Sequence, residues 1–500
     1  MIDTKQTRIA TLQAKAGRYV KAFRKDEDGV MIAFSLLILV LMLIVGGMAV
    51  DFMRLEARRS HIQVTVDRAV LAAADLDQTL DPQAVVNDYL LKAGLGNLSA
   101  NTTVKQDSNY RQVTTSVDLE LNTFFLRLID MDTLGVTSKS TAIEGVGNIE
   151  VSLVVDISGS MNEFLEDSDG NELTERRIDK LRTAANSFVE KLITEDTKDR
   201  VSLSFVPYTS HVSIGADIFD ALNTNSSHDY SYCVDFPDAD YKTTALNTAA
   251  TYKQVPHYQW NIAFEEIVDA NGNVEDGAKI PLVEEPICPM FDFEQIIPLS
   301  QNADTLTDAI DLLEPRGGTS IFMGLKWGVA LLDPSMRTLL GNIDSIDAAF
   351  DGRPVNYALQ DDPSPTVKYV VLMTDGQNGR NNRLRDSVYE TPSQRAHWAN
   401  MNIMYFNEFP LGYRNLSDYT YELYDADDAD RYMQDICDAA KAPERGIIIY
   451  GIAMGATEHG EQEMAKCASS PAHYYQTSGA ELEAIFEAIA EQITDLRLTQ

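Results

Sequence analysis

Cysteine, tryptophan and histidine are scarce in this chain, which has 4 Cys, 3 Trp and 7 His among its 500 residues. The cysteines include no Cys-x-x-Cys pair and the histidines no close pair, so their spacing disfavours a zinc site. The chain also lacks a P-loop, a Gly-x-Ser-x-Gly motif and a His-Glu-x-x-His motif, which are typical of nucleotide-binding proteins, hydrolases and zinc proteases. We therefore expect a binding protein rather than an enzyme.

Basic residues are also few compared with acidic ones. Against 76 Asp and Glu there are 41 Lys and Arg, which gives a net charge of −35. A surface of that sign repels phosphates, so we expect no nucleic acid partner. Seven of the basic residues fall within residues 1–28, beside four acids, so this segment alone is net positive.

Residues 29–50 form a run of 22 residues without a charge. As a helix it would be about 33 Å long, at ~1.5 Å per residue, which is enough to cross a bilayer. The basic segment before it favours a cytoplasmic N-terminus, with residues 51–500 outside the cytoplasm of a bacterial inner membrane. Cleavage of residues 1–49 after a Gly-Met-Ala sequence is an alternative. The run is longer than the ~7–15 residues of a signal core, so we favour a permanent anchor.

The helical pattern continues into a predicted juxtamembrane helix over residues 51–78. Its apolar residues follow steps of three and four, as on one face of a helix. They are Phe52, Leu55, Ile62, Val66, Ala69, Ala73 and Leu76. This stripe can pack on a partner helix or on the next domain of the same chain, and the spacing does not decide between them.

The segment around this helix resembles pilus-assembly proteins of the bacterial tight-adherence (Tad/Flp) system, of the TadG-like kind. The resemblance is carried by Gly29, by Ala-Val-Asp-Phe-Met-Arg at 49–54 and by Asp-Arg-Ala-Val-Leu-Ala-Ala-Ala at 67–74. The pilin-like members of this group carry a Glu shortly after the Gly, where this chain has Met-Ile-Ala-Phe at 31–34. The resemblance therefore implies an anchored helper in pilus assembly, which contacts other pilus-assembly components through the juxtamembrane helix.

Residues 79–147 predict a small α+β module. A short helix begins after Asp81 and ends near Gly94, and three alternating segments follow at 99–104, 112–121 and 134–145. From residue 148 to residue 500, buried strands alternate with amphipathic helices, which predicts an α/β domain with a mostly parallel sheet. Two long insertions are expected in it, near residues 210–315 and 376–430.

Oxygen-bearing side chains follow two predicted buried strands of this domain. Asp156, Ser158 and Ser160 come after the strand at 151–155, and Asp375 ends the strand at 370–374. Thr319 lies in a Gly-Gly-Thr-Ser loop before a helical run. In an open α/β sheet, ligands bind beyond the carboxyl ends of strands, so we expect these oxygens to converge. Hard oxygen ligands favour Mg²⁺.

This set resembles the metal-ion-dependent adhesion site (MIDAS) of von Willebrand factor type A domains. The resemblance implies a doubly wound, mostly parallel α/β sheet, with Mg²⁺ (or Mn²⁺ or Ca²⁺) bound directly by Ser158, Ser160 and Thr319. It further implies that Asp156 and Asp375 act mostly through metal-bound water. An acidic side chain of a protein partner would complete the shell of ligands.

Other interpretations of the same residues stay open. Asp156 can cap a loop while Ser158 and Ser160 bond local backbone, with no ion bound. A hydrolase would need a base near the ion, and no His or Glu is evident for that role. An envelope adhesin or sensor unrelated to pili is a third possibility. Two acidic loops, at 166–172 and 269–273, lack the spacing of a calcium-binding loop.

The four cysteines all follow the apolar run, which suits an oxidising compartment. Four cysteines allow three pairings. We favour Cys233–Cys288 and Cys437–Cys467, because each pair brackets one segment and would staple it to the domain.

Overall fold

The computed structural model describes residues 21, 28–75, 78–107, 110–145, 147–166, 172–261, 263–268, 274–357, 366–409 and 415–495. It divides into two compact units, Met1–Gly145 and Val146–Gln500. Most of the predicted basic segment 1–28, the centre of the first acidic loop, the whole of the second and the last five residues lie outside the described part.

The longest described helix of the first unit is α1 (Asp28–Ala74), which contains both the predicted anchor and most of the predicted juxtamembrane helix. By length and composition, α1 is apolar enough to cross a membrane, and its apolar side chains between residues 31 and 45 are largely exposed. This helix fits a single-pass membrane anchor.

A short helix and a three-stranded antiparallel sheet complete the first unit. They are α2 (Pro82–Lys92), β1 (Ala100–Asp107), β2 (Tyr110–Asn122) and β3 (Thr133–Gly145), with the strands in that order in the sheet. Asp81 caps α2 by accepting the N–H of Ala84 at 3.0 Å, and Pro82 takes the first helical position.

The apolar stripe of α1 packs largely on its own unit. Its buried members share one core with α2 and the sheet, namely Ile62, Val66, Ala69 and Ala73 with Val86, Leu90, Val113 and Val117. The alternative of a partner helix therefore fails for these positions, because the chain itself covers them. Phe52 is exposed, and Leu76 lies outside the described residues.

The second unit is built on a six-stranded sheet with helices on both faces. Its elements in chain order are β4 (Ile149–Asp156), α3 (Arg177–Leu192), β5 (Val201–Tyr208), β6 (Ile297–Ser300), α4 (Ala303–Asp311), α5 (Ile321–Ala330), β7 (Val367–Thr374), α6 (Ala426–Lys441), β8 (Ile448–Met454), α7 (Glu458–Cys467), β9 (Tyr474–Thr477) and α8 (Leu482–Asp495). The order in the sheet is β6-β5-β4-β7-β8-β9. The prediction of a mixed α/β architecture is confirmed.

Five of these strands are parallel, and β6 is antiparallel at one edge. The chain starts at the central β4, builds one side of the sheet, and then returns to β7 on the other side of β4. Alternate residues of β4 enter two cores: Val151, Leu153 and Val155 pack with α3 and α8, and Val154 packs with α5 and α6. The strand is thus buried on both faces, as its sequence indicates: one face is apolar, and the other carries Glu150, Ser152 and Asp156 beside Val154.

The two insertions are folded segments. The first contains a helix, five short strands and the disulfide Cys233–Cys288, and its regular elements are Gly215–Ala221, Thr224–Asn225, Val234–Asp235, Tyr252–Gln254, Ala263–Val268 and Val274–Ile280. The first insertion ends before the predicted residue 315, because β6 pairs with β5 and α4 packs in the core with α3.

The second insertion contains the strands Asn381–Leu384 and Thr420–Tyr424 and the helices Pro392–Asn400 and Ile403–Glu408. A further helix, Arg337–Leu340, lies between α5 and β7, and a small hairpin, Phe164–Glu166 with Glu172–Arg176, precedes α3. The second predicted disulfide, Cys437–Cys467, links α6 to α7. Both predicted cysteine pairings are confirmed.

His257 makes the first insertion sensitive to acid. It is buried, its Nδ1 lies 2.8 Å from Ser231 Oγ, and burial followed by the charge of His228 lowers its pKa to about 4. Between pH 6.5 and 4 the unfolded chain therefore binds a proton that the folded chain does not, so stability falls as the pH falls. We expect His257 alone to lower the free energy of unfolding by about 2 kcal/mol between pH 7 and pH 5.

Urea unfolding followed by tryptophan fluorescence checks this prediction, because Trp398 is buried in the same small core. A His257→Gln variant should lose that part of the pH dependence and keep the part that comes from other groups. An equal pH dependence in the parent and the variant would contradict the prediction.

Candidate metal centre

The carboxylates of Asp156 and Asp375 lie at the ends of neighbouring strands. Asp156 is the last residue of β4, and Asp375 follows Thr374, the last residue of β7. The two strands are parallel, with Val155 opposite Met373. Both carboxylates therefore lie at the carboxyl edge of the sheet, where the direction of chain winding reverses.

Asp156 is fully buried and is held by neutral donors. Its Oδ1 accepts the N–H of Ser158 at 2.8 Å, and its Oδ2 accepts the hydroxyl of Thr374 at 2.7 Å. These two bonds fix the carboxylate without neutralising its charge.

Ser158 and Ser160 connect Asp156 to Asp375: the N–H of Ser158 bonds Asp156, and the two hydroxyls continue the chain of contacts to Asp375. Ser158 Oγ lies 3.1 Å from Ser160 Oγ, and Ser160 donates to Asp375 Oδ1 at 2.8 Å. A short 3₁₀ helix, Gly159–Asn162, turns the chain here, and the N–H of Gly159 donates to the carbonyl of Gly317 at 3.0 Å. Four of the predicted site residues thus form one continuous hydrogen-bonded set.

Thr319 lies beside this set, on the loop before α5. A Cβ placed on Gly376 would lie 3.7 Å from Thr319 Oγ1, so the hydroxyl lies next to the loop that follows β7. The loop is fixed from two sides, because the N–H of Gly379 donates to the carbonyl of Thr319 and the N–H of Ser320 donates to the carbonyl of Thr209, each at 2.9 Å.

Two glycines of α5 place this helix close to the sheet. A Cβ on Gly328 would lie 2.5 Å from Val154 Cγ2, and one on Gly324 would lie 2.4 Å from Tyr208 Cδ1. Only glycine permits that approach. The close packing of α5 brings its N-terminal loop, and Thr319 with it, over the ends of the strands.

Arg177 belongs to the site and was missed by the sequence analysis. Its Nη1 lies 2.9 Å from Asp375 Oδ2, and its Nη2 lies 3.0 Å from Glu163 Oε2. Arg177 opens α3, directly after the hairpin that follows the serines. Its basic charge at the start of a helix, where acids are favoured, was the one local signal that pointed to it.

The electrostatics of the site disfavour two ionised carboxylates without a compensating charge. Burial, and then the nearby charge of Asp375, raises the pKa of Asp156. Burial also raises the pKa of Asp375, against the opposing effect of Arg177. A cation placed among these oxygens would reverse that preference.

The donor set fits Mg²⁺ by its chemistry. It consists of two carboxylates and three hydroxyls, all of them hard oxygen donors of the kind that Mg²⁺ prefers. Among the described residues there is no cluster of three or more His, Cys, Asp and Glu side chains that could hold a metal ion.

Both insertions contact the rim of the site. Asp235 of the first insertion pairs with the buried Arg383 of the second, with Oδ1 and Nη2 2.7 Å apart. Asn381 Nδ2 donates to the carbonyl of Ser210 at 3.2 Å, and Ser210 Oγ accepts the N–H of Gly318 at 2.9 Å. The insertions therefore support the loop that carries Thr319.

Comparison with known proteins gives structural similarities at low sequence identity. No curated protein sequence matches the chain. The pilus adhesin SpaC of Lactobacillus rhamnosus GG has a TM-score of 0.32 and 13% identity over 79% of this chain, which spans only 34% of SpaC. The PilB minor pilin of Streptococcus sanguinis has a TM-score of 0.32 and 17% identity, over 81% of this chain and 79% of PilB.

A third similar structure is the vWF domain of the type V pili tip protein Mfa5 from Porphyromonas gingivalis, with a TM-score of 0.32 and 13% identity over 71% of this chain and 97% of that domain. One family model matches part of the sequence, and it covers the apolar run and the juxtamembrane stripe. Residues 29–76 match the Flp pilus-assembly TadE/G-like family, Tad, and this match supports a pilus-related protein.

Proposed function

We propose that this chain is a membrane-anchored binding protein of Flp pilus assembly, with a doubly wound domain of the von Willebrand factor type A class. The observation that carries the proposal is the convergence of Asp156, Ser158, Ser160 and Asp375 in one hydrogen-bonded set beside Thr319. The match at residues 29–76 supports the part of the proposal that concerns pili.

In this proposal the site binds a divalent cation, Mg²⁺ first, with Mn²⁺ or Ca²⁺ as substitutes. Ser158, Ser160 and Thr319 would bind the ion directly, and Asp156 and Asp375 would hold its waters. When bound, the cation supplies a positive charge at one point of a strongly acidic surface. A carboxylate of a protein partner can dock there, with Arg177 holding Asp375 in place from the other side.

Anchoring by α1 completes the proposal. The basic residues before residue 29 favour a cytoplasmic N-terminus and a binding domain in the periplasm. The two disulfides agree with that compartment. The rest of the first unit covers the C-terminal part of the apolar stripe of α1. Contacts between α1 and other pilus components would therefore use the face of the helix that remains exposed.

Complementation of a deletion strain tests this function. We expect the parent chain to restore Flp pili, and Asp156→Ala with Thr319→Ala to restore few or none at an equal level in the membrane. The exposed Asp308, on α4, gives a matched control, because Asp308→Ala removes one carboxylate away from the site. Full restoration by the site variant would contradict a role of this site in pilus assembly.

A further inference from the structure

The turn between β2 and β3 exposes several apolar side chains close together. It contains the 3₁₀ helix Leu126–Ile129, and the relative exposure is 62% for Phe124, 67% for Leu128, 44% for Ile129 and 44% for Met131. Such a local cluster is uncommon on the water-exposed surface of a domain and marks an interaction site.

Asp51 fixes this turn to α1. The carboxylate of Asp51 is buried and accepts the N–H groups of Phe124, Phe125 and Leu126, the shortest bonds being 3.0, 2.8 and 3.0 Å. These are the free donors at the start of the 3₁₀ helix, so Asp51 caps it from another element.

Two further contacts hold the turn against the end of the apolar run. A Cβ on Gly47 would lie 2.2 Å from Phe125 Cγ, so the Phe125 ring rests on α1 where only glycine leaves room. On the other side of Asp51, the guanidinium of Arg54 lies 3.9 Å from the centre of the Phe124 ring. The turn is thus held at the level of residues 47–54.

That level is the surface of the membrane if α1 is the anchor. Gly47 precedes the end of the run, Val50, by three residues, or about 4–5 Å along the helix axis. We propose that the turn Phe124–Met131 is a second membrane contact of this chain, which inserts into the interfacial region of the bilayer on the periplasmic side. The proposal rests on the proposed anchoring by α1.

The composition of the turn fits a lipid interface. Phe124, Leu128, Ile129 and Met131 supply apolar area that can enter the boundary between acyl chains and headgroups. Arg54 and Arg127 lie beside them and can reach lipid phosphates. Asp130 and Asp132 would keep the turn at the level of the lipid headgroups, because moving a carboxylate into the hydrocarbon core costs free energy. Contact at two points would stop the first unit from rotating about α1.

Single-cysteine labelling tests the proposal on the full chain. The four native cysteines are paired, so one introduced cysteine carries the probe. The chain is placed in vesicles of phosphatidylcholine and phosphatidylglycerol, with an NBD fluorophore at Leu128→Cys and a nitroxide quencher on the lipid acyl chains near the headgroup. Leu43→Cys, inside the apolar run, reports whether α1 is inserted.

Leu91→Cys is the matched control. Leu91 is 68% exposed, close to the value for Leu128, but it lies on α2. The carbonyl oxygen of Ala93, two residues after Leu91, lies 3.3 Å from His61 Nε2. His61 is 14 residues beyond Gly47, which is about 21 Å along the helix. Leu91 should therefore remain in water.

We expect the lipid quencher to lower NBD emission roughly twofold or more at Leu43 and at Leu128, and hardly at all at Leu91. Quenching at Leu43 without quenching at Leu128 would overturn the second contact and leave the anchor intact; the exposed turn would then serve a protein partner. No quenching at Leu43 would overturn the anchor and this proposal together. In an Asp51→Ala background, quenching at Leu128 should fall while quenching at Leu43 persists, and an unchanged signal would refute the role of Asp51.

Discussion

Mg²⁺ is expected to bind the parent chain and to raise its melting temperature, and the double substitution Asp156→Ala, Ser158→Ala is expected to abolish both effects. An ion that binds the folded state at one hundred times its Kd adds about 2.7 kcal/mol to the free energy of unfolding. For a domain of this size that corresponds to a rise in melting temperature of roughly 4 °C. Titration calorimetry and thermal melts of the full chain in detergent measure the two effects.

The physical reason lies in the buried carboxylate of Asp156. It has a Coulombic conflict with Asp375, and only neutral groups are seen to donate to it. A bound cation would reduce the repulsion between the two carboxylates. The Asp156→Ala, Ser158→Ala variant lacks one of them, so it has no such repulsion for a cation to reduce. Removal of Ser158 also breaks its hydroxyl contact with Ser160 and takes away one of the ligands that we propose.

A matched double variant separates metal binding from general damage. Asp308→Ala with Ser417→Ala removes the same two residue types from exposed positions. It should bind Mg²⁺ like the parent. If the parent gives no signal at millimolar Mg²⁺ or Mn²⁺, the set of oxygens is a closed structural network, and the search for function moves to the anchor and the insertions. Weak binding at micromolar ion is expected, because the partner carboxylate is absent.

Much of the second unit follows from local sequence. β4 and β7 are apolar, β-branched runs bounded by polar loops, and α3 has an apolar stripe at helical spacing, so their positions could be predicted to within a few residues. Asp156 and Asp375 were found because each one ends such a strand. In a parallel sheet the carboxyl ends of neighbouring strands lie at the same edge, so the two carboxylates could be predicted to lie close together.

What the sequence could not show depends on contacts between distant segments. Arg177 is 198 residues from Asp375, and Arg383 is 148 residues from Asp235. No period or motif links these pairs, because only the finished fold brings them together. The strand β6 has four residues, too few to show a period, so it was counted with the first insertion.

The juxtamembrane stripe shows a different limit. A helix that packs on a partner and one that packs on its own domain need the same apolar spacing. The structure decides for the second case at Ile62 and Val66, through contacts with strands that begin about 40 residues later. The sequence likewise gives no sign that Gly47 and Asp51 hold the turn at Phe124, because that turn lies more than 70 residues away along the chain.

A second large effect is expected at the opposite end of the same two strands. Glu150 on β4 and Lys368 on β7 face each other in the sheet, and both side chains are almost fully buried. Lys368 donates to Glu150 and to the carbonyls of Leu332 at 2.7 Å and Val355 at 2.8 Å. The other oxygen of Glu150 accepts the N–H of Val355 at 2.8 Å.

Lys368→Met is expected to lower the free energy of unfolding by about 3–5 kcal/mol, because it leaves the Glu150 carboxylate buried without its cation. Replacing both partners, in Glu150→Leu with Lys368→Met, should recover much of that loss, since neither charge of the pair is then left without the other. Urea unfolding of the two single variants and the double variant gives the coupling energy. A loss below about 1 kcal/mol in Lys368→Met, or additive losses, would contradict a tightly coupled pair.

The comparison of the two strand ends bears on the metal site as well. At the amino ends of β4 and β7, the buried carboxylate of Glu150 has its own lysine. At the carboxyl ends, Arg177 bonds Asp375, while Asp156 is held by an N–H and a hydroxyl. Of these three carboxylates, the one without a fixed cation is thus Asp156, which lies beside the hydroxyls that we propose as ligands. Since the two ends are separated by the length of the strands, Mg²⁺ titration of the folded Lys368→Met variant should match the parent, and a weakened titration would show that the ends are coupled.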